Sequence, residues 1–395
     1  MKDGATSIRL ADIADINPPL PRKPAANDTV SFLGMAALDA ESGTTKRGED
    51  RPYHEVMKGY TPFLANDVLV AKITPCFENG KIAQAVIDRP IGFGSTEFHV
   101  VRPKAGKADP RFLLHALRQP AVLVDGERRM TGSAGQKRVP ENYFANLSLP
   151  NLDLGEQRRI ADILDRADAL RAKRRAAIAK LDELTQAIFI DMFGDPTSNG
   201  GSVPNKRLED ISLRVTDGTH LTPVFRESGV PFIFVKNIKN GHIDFQTDKY
   251  ISESERAELY CRCPIESGDV LYTTVGATYG QAAPVGDFTK FAFQRHLAHI
   301  KPNRSQVIPR FLANVMQLPF VKRQADKWAR GAAQPTINLK ELREFIIPVP
   351  SLGRQAEYVS RVEQLDRTLA PHLASLTAIN DLFSSLQDRA FRGAL

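Results

Sequence analysis

The sequence predicts two mixed α+β domains in tandem, each followed by a long helix, with the two helices packing on each other as an antiparallel coiled coil. Three observations carry this. Short motifs recur in the same order at an offset of about 200 residues. Each copy opens with a stretch of β-branched and aromatic runs broken by turn signals. Each copy then changes, at a proline, into apolar residues spaced alternately by three and four.

The repeat is read directly from the residues. Arg9-Leu10-Ala11-Asp12-Ile13 returns as Arg207-Leu208-Glu209-Asp210-Ile211, and Asn66-Asp67-Val68-Leu69 as Gly268-Asp269-Val270-Leu271. Val101-Arg102-Pro103 matches Ile300-Lys301-Pro302. Pro110-Arg111-Phe112-Leu113, closed by Pro120, matches Pro309-Arg310-Phe311-Leu312, closed by Pro319. Leu154-Gly155 with Gln157 matches Leu352-Gly353 with Gln355, and Phe193 matches Phe391. Chance does not hold so many short matches in order at one spacing.

Within each copy the first part carries turn signals at Asn79-Gly80, Asp217-Gly218 and Asn240-Gly241, with many prolines. Pro150 and Pro350 exclude a continuous helix across the junctions. The first seam is then Ile160, Ile163, Ala167, Leu170, Ala177, Leu181, Leu184 and Ile188, interrupted at Arg174. The second is Tyr358, Val362, Leu365, Leu369, His372, Leu376, Ile379, Phe383, Leu386 and Ala390. Asp195-Pro196-Thr197-Ser198-Asn199-Gly200-Gly201-Ser202 reads as a connector. The expected boundaries are 1–152 for the first domain, 153–194 for its helix, 195–351 for connector and second domain, and 352–395 for the second helix. Two seams of similar length in one chain most simply pack together, which would place the domains at opposite ends of a helical ruler of about 45–50 Å.

Composition limits the function classes. A length of 395 residues exceeds one ordinary core, and 42% hydrophobic with 25% charged residues is globular composition. The net charge of +7 permits a polyanionic partner without demanding one. Three cysteines give no disulfide framework and fit a reducing compartment. The first twenty residues hold no signal-peptide core, and no run nears the ~18 apolar residues of a membrane span. These features predict a cytoplasmic protein without a membrane partner.

With these segments in view, the chain resembles a specificity subunit of a type I restriction-modification system over essentially its whole length. In the first domain the resemblance rests on LANDVLVAKITPCFENGKIA, GFGSTEFHVVRP and TGSAGQKRVP. In the second it rests on DGTHLTPVFRESGVPFIFVKNI, ESGDVLYTTVGATYGQ and RGAAQPTINLKELREFIIPVP. LGEQRRIADIL, DMFGDP and AFRGAL are similar to the family's helix ends. The resemblance implies two target-recognition domains, each reading half of a bipartite double-stranded DNA site. It also implies no catalytic or metal site and no cofactor in this chain. Two methyltransferase subunits, which use S-adenosylmethionine to methylate adenine, would dock on the helices, and restriction (translocase-nuclease) subunits would join that core. Arg354 departs from the pattern, because an acidic residue is more usual before the glutamine at 355.

Base reading needs side chains that reach groove edges, while Lys, Arg, Ser, Thr and backbone N–H groups hold phosphates. The first candidate set is the basic loop with Arg128, Arg129, Thr131, Ser133, Gln136, Lys137 and Arg138; Lys327, Arg330 and Gln334 are its counterpart. A second set comprises Lys72, Thr74, Glu78, Asn79 and Lys81 with Ser95, Thr96 and Glu97, polar residues at strand ends and hairpin tips. Its partners in the second domain are Thr273, Thr274, Thr278, Tyr279 and Gln281 with Gln294, Arg295 and His296. Thr219, His220, Thr222, Lys236 and Asn237 form a third set. The bland alternative for each is a solvated or structural polar residue.

Three features are set aside and one is left open. Asn17-Pro18-Pro19-Leu20 is similar to the Asn-Pro-Pro-aromatic motif of adenine methyltransferases, but Leu20 cannot stack on a flipped base, so an extended turn is expected. Cys261 and Cys263 lack a second ligand pair at zinc spacing. No Walker A loop is present. The run Arg171-Ala172-Lys173-Arg174-Arg175 is either a solvated face or a support beneath DNA between two half-sites. The rival functions are a self-contained DNA adenine methyltransferase, resting on Asn17-Pro18-Pro19 alone, and a coiled-coil adaptor without a nucleic-acid role.

Overall fold

A computed structural model describes residues 6–133, 135–196, 203–287, 290–331 and 335–395. The chain divides into two compact units, Met1–Ala177 with His372–Leu395, and Ile178–Pro371.

In the first unit a four-stranded antiparallel sheet runs in the order Ala14–Ile16, Phe98–Pro103, Val68–Ala71, Ile82–Gln84. The Val68–Ala71 strand is buried along its length, which its unbroken apolar run requires. A second sheet orders Glu49–Pro52, Thr29–Leu33, Ile91–Gly94 and Thr61–Leu64, with Thr29–Leu33 parallel to Ile91–Gly94. Two helices follow, Pro110–Leu117 and Pro120–Arg128, each with proline in its first turn, where the missing N–H costs nothing. Pro120 therefore starts a helix as well as closing the previous one.

The second unit repeats this plan. Its antiparallel sheet orders Ser212–Asp217, Leu297–Pro302, Val270–Thr273 and Ala282–Pro284. A three-stranded sheet pairs Val230–Ile233 in parallel with Ala292–Phe293. Helices Pro309–Gln317 and Pro319–Trp328 stand where the first unit has its pair. In both units a residue with positive φ, Asn66 or Gly268, precedes a buried aspartate whose carboxylate accepts a backbone N–H three residues back. The aspartates then diverge. Arg102 grips Asp67 at 2.8 Å, yet burial outweighs that pairing and raises the Asp67 pKa; Asp269 takes His299 at 2.7 Å.

Each domain is followed by a helix of 40 residues, Leu154–Phe193 and Leu352–Phe391, longer than the ruler drawn from the sequence. Within each unit the helical segments run antiparallel. In the first, Arg159 reaches the Leu395 carbonyl, Arg171 donates to Asn380 at 2.9 Å and Phe112 packs on Phe391. In the second, Phe189 and Phe193 pack on Tyr358, and Arg361 pairs with Asp191.

The seam of the second helix is at least half-buried at every expected position. The first is corrected: Leu170 and Leu184 are 56% and 46% exposed, while Leu164 is fully buried. The seam instead passes through Arg171 and Arg174. Arg171 pairs with Asp168 and lies over the Phe383 ring, and Arg174 bonds His372. Arg175 reaches Glu41. Of the mid-helix basic run, the three arginines thus make contacts within the first unit instead of forming a plain solvated face.

One buried amide, present in each unit, ties domain to helix. The Gln157 side chain accepts the Asp109 N–H and donates to the Lys107 and Leu152 carbonyls, all at 3.0 Å. Gln355 accepts the Ile308 N–H at 2.8 Å and donates to the Gln306 and Pro350 carbonyls.

Candidate nucleic-acid interface

In the first unit the two candidate sets of the first domain fuse into one surface. Thr131 and Arg138 exchange backbone hydrogen bonds and close a hairpin around the basic loop. The Lys137 carbonyl accepts the Thr74 N–H, the Lys72 carbonyl accepts the Val139 N–H, and the Glu97 carbonyl accepts the Lys72 N–H. A strand end, a turn and a hairpin tip are thereby laced together, although about 65 residues of chain separate Lys72 from Lys137.

The second unit builds the same lattice. Arg330 and Thr336 exchange backbone bonds, the Pro335 carbonyl accepts the Gly276 N–H, and the Thr274 carbonyl accepts the Ile337 N–H. The His296 carbonyl accepts the Thr274 N–H. Position for position, Lys72 corresponds to Thr274, Thr74 to Gly276, Glu97 to His296 and Arg138 to Thr336.

Side chains on these matched frames differ. In the first unit Arg138 grips Glu97 through Nε at 2.9 Å and Nη2 at 2.7 Å, and that hydrogen bond holds the Glu97 carboxyl below its usual pKa. Ser133, Gln136 and Lys137 are exposed at the tip, as are Thr96, Asn79 and Arg128; Ser95 accepts the Glu97 N–H. In the second unit Thr219, His220, Thr222, Arg295 and His296 line one concavity, and Lys236, Thr278 and His296 line an adjoining one. Burial lowers the His296 pKa, helped by Arg295 and His220. Lys327 is exposed, its ammonium 5.7 Å from the Trp328 ring, and Arg330 is 72% exposed.

Several candidates are spent on the fold and leave the surface set. Asn237 is buried: its carbonyl oxygen accepts the Phe234 N–H while its amide donates to the Asp244 and Gln246 carbonyls. The Thr274 hydroxyl is buried against the His296 carbonyl. Tyr279 donates to Asp326 at 2.6 Å beneath the Lys322 ammonium. Thr74 donates to Glu78 and Lys81 reaches inward to the Met35 carbonyl, while Arg129, 60% exposed, stays at the surface beside Asp125 and the Tyr143 ring. Gln281 is half-buried and stays in the set, since the N–H it gives to the Thr273 hydroxyl is that of its backbone. Lys236 keeps its exposure but pairs with Asp248. Gln334 lies outside the described residues.

The structure adds residues that the sequence sets missed. Lys239 and Gly276 line the same concavity as Lys236, and Leu221, 58% exposed, stands beside Thr222. The Asn240-Gly241 turn marked the Lys239 hairpin in the sequence; nothing there marked Leu221.

The motif around Asn17 is structural. Asn17 has φ of 50°, its oxygen accepts the Val100 N–H, and its amide reaches Glu141 at 2.7 Å and His99 Nδ1 at 3.1 Å. The expected extended turn is thus a left-handed one. His99 Nε2 faces the Val139 carbonyl at 2.9 Å and so carries the ring proton, while burial lowers its pKa. Cys263 faces the Asp217 carbonyl, and burial raises its thiol pKa. Among the described residues no group of three or more His, Cys, Asp or Glu could hold a metal, and no helix is long and apolar enough to cross a membrane.

Residues 205–380 match the model of the type I restriction modification DNA specificity domain. Most of the second unit is thus similar to a domain of that class, and the first unit repeats its plan of sheets and helices. The chain is similar to the specificity subunits of type I restriction enzymes. It is 40% identical over 161 residues to the EcoAI specificity subunit of Escherichia coli, covering 40% of this chain and 27% of that subunit. To the EcoBI specificity subunit of the same species it is 26% identical over 319 residues, covering 73% and 66%. A solved chain from work on complex assembly and conformational transition of the type I R-M system shares the fold, with a TM-score of 0.53 at 19% identity over 100% of this chain and 99% of that one. The matched segments span 27% of the length of the EcoAI and EcoEI subunits.

Proposed function

We propose that this chain is a non-catalytic reader of double-stranded DNA in the cytoplasm. Each unit reads one half of a bipartite site and directs partner subunits to it. The observation that carries the reading is the backbone lattice built twice with different side chains. A frame kept while its surface chemistry changes suits two readers of different short sequences better than one catalytic site. The partners are two methyltransferase subunits that methylate adenine with S-adenosylmethionine, joined by restriction subunits; this chain holds no cofactor of its own.

The rival of a self-contained methyltransferase loses its support, because the Asn17 side chain is committed to Val100, Glu141 and His99. The test incubates the purified chain with duplex DNA and labelled S-adenosylmethionine, and in parallel measures duplex retention against salt. The expected result is retention with a negative salt slope and no methyl transfer. Methyl transfer by the chain alone, or failure to retain any duplex at low salt, overturns the reading.

A further inference from the structure

The two frames differ at one matched pair of facing side chains, Arg138–Glu97 against Thr336–His296. An arginine guanidinium has five N–H donors in a planar fork. On Arg138, Nε and one N–H of Nη2 are taken by the two Glu97 oxygens, and one N–H of Nη1 by the Gln136 carbonyl at 3.2 Å. Among the described residues this leaves one N–H on each terminal nitrogen. The Arg138 side chain is 40% exposed and that of Glu97 24%, so the pair stands at the surface with its carboxylate on the inner side.

Such a guanidinium is fixed in plane and direction before any ligand arrives, which spares the rotamer entropy of a free arginine. Two parallel donors on one planar edge match the O6 and N7 acceptors that guanine alone presents together in the major groove. The adjoining hairpin tip supplies the sequence-blind contacts, with Lys137 and Ser133 exposed beside it. A phosphate contact would need no such clamp, since a mobile cation serves as well.

Resting on the DNA-reading function proposed above, we infer that Arg138, oriented by Glu97, is the guanine-specifying residue of the half-site read by the first unit. Glu97 is a positioning residue whose carboxylate is used on the arginine and not on cytosine. The second unit carries a hydroxyl and an imidazole at the same two positions, so no guanine is dictated from that place in the other half-site.

The test selects duplexes from a randomised library with the full chain and sequences what is retained, for wild type, Arg138→Gln, Arg138→Lys and Glu97→Gln. Wild type should give two conserved half-sites, one containing a near-invariant guanine. Arg138→Gln should lower the preference for that guanine by about ten- to a hundredfold, with every position of the other half-site unchanged. Glu97→Gln, which keeps the guanidinium but loosens its clamp, should lower it at the same position by a smaller factor. Retained guanine preference in both variants overturns the inference, as does a uniform loss across all sequences with a shallower salt slope, the mark of a phosphate contact. Should Arg138→Gln lose both half-sites through misfolding, Arg138→Lys and Glu97→Gln decide by the same criterion. If wild type selects no sequence at all, the DNA-reading function fails and this assignment falls with it.

Discussion

Replacing Gln157 with methionine should loosen the joint between the first domain and its helix without touching the candidate DNA surface. Gln157 is 2% exposed and makes three hydrogen bonds at 3.0 Å to backbone groups of two loops. Methionine is close in volume, so little of the loss is packing. One N–H and two carbonyls lose their partner, and an unsatisfied buried group costs about 1–3 kcal/mol. Counting each carbonyl at the low end and the N–H near the middle gives about 4 kcal/mol. At 1.4 kcal/mol for each factor of ten, that is several hundredfold in a local opening equilibrium, about 700. Hydrogen exchange followed by mass spectrometry reads this at 107–117, with 306–317 of the second unit as internal reference because Gln355 is untouched. An acceleration below about fivefold, or equal acceleration in both units, would refute the reasoning that these satisfied amides lock domain to helix.

The arginine clamp holds Glu97 below the ordinary glutamate pKa of about 4.3, so its stabilisation is present above that value and lost as pH falls through the folded-state pKa. Carboxyl titration by NMR should show the low midpoint in wild type and an ordinary one in Arg138→Gln; an ordinary midpoint in both contradicts the clamp. His99 has its pKa lowered by burial, so the unfolded chain takes up the proton first. The first unit should lose stability as pH falls through about 6.5, and denaturant melts at pH 7.5 and 5.5 should differ less in His99→Gln than in wild type. Lys137→Ala should weaken specific and random duplexes alike and reduce the salt slope by about one, whereas Gln136→Ala should change base preference at one position; identical behaviour of the two counts against their roles. Asn237→Ala should lower the melting temperature of the second unit and leave base preference unaltered, and a changed preference would return Asn237 to the interface.

Much of the architecture was legible because the chain states it twice. The recurrence of Pro-Arg-Phe-Leu, of Leu-Gly with a glutamine, and of the closing phenylalanines located the domains and helices in order. Hydrophobic spacing worked for the second helix, whose seam is apolar apart from His372. It failed in the first, where Arg171 and Arg174 occupy seam positions. An arginine can fill a helix interface when Asp168, Asn380 and the Phe383 ring meet its polar and flat faces, and periodicity cannot see those partners. For the same reason the polar candidates could be placed near turns but not sorted. Asn237 and Gln136 are alike as letters; one spends its amide on three backbone groups and the other lies exposed. The matched pair of Glu97 with Arg138 was out of reach because 41 residues separate its members, and only the laced backbone brings them together.

The most direct test of the central claim is a genome-wide map of methylated adenines, made with the gene for this chain intact and deleted. The account predicts that the intact strain methylates adenine within one two-part sequence, two short conserved elements separated by a gap of constant length and free composition, and that deletion abolishes methylation at every such site. Methylation that survives the deletion, or a lost motif that is one continuous sequence without a gap, would contradict it.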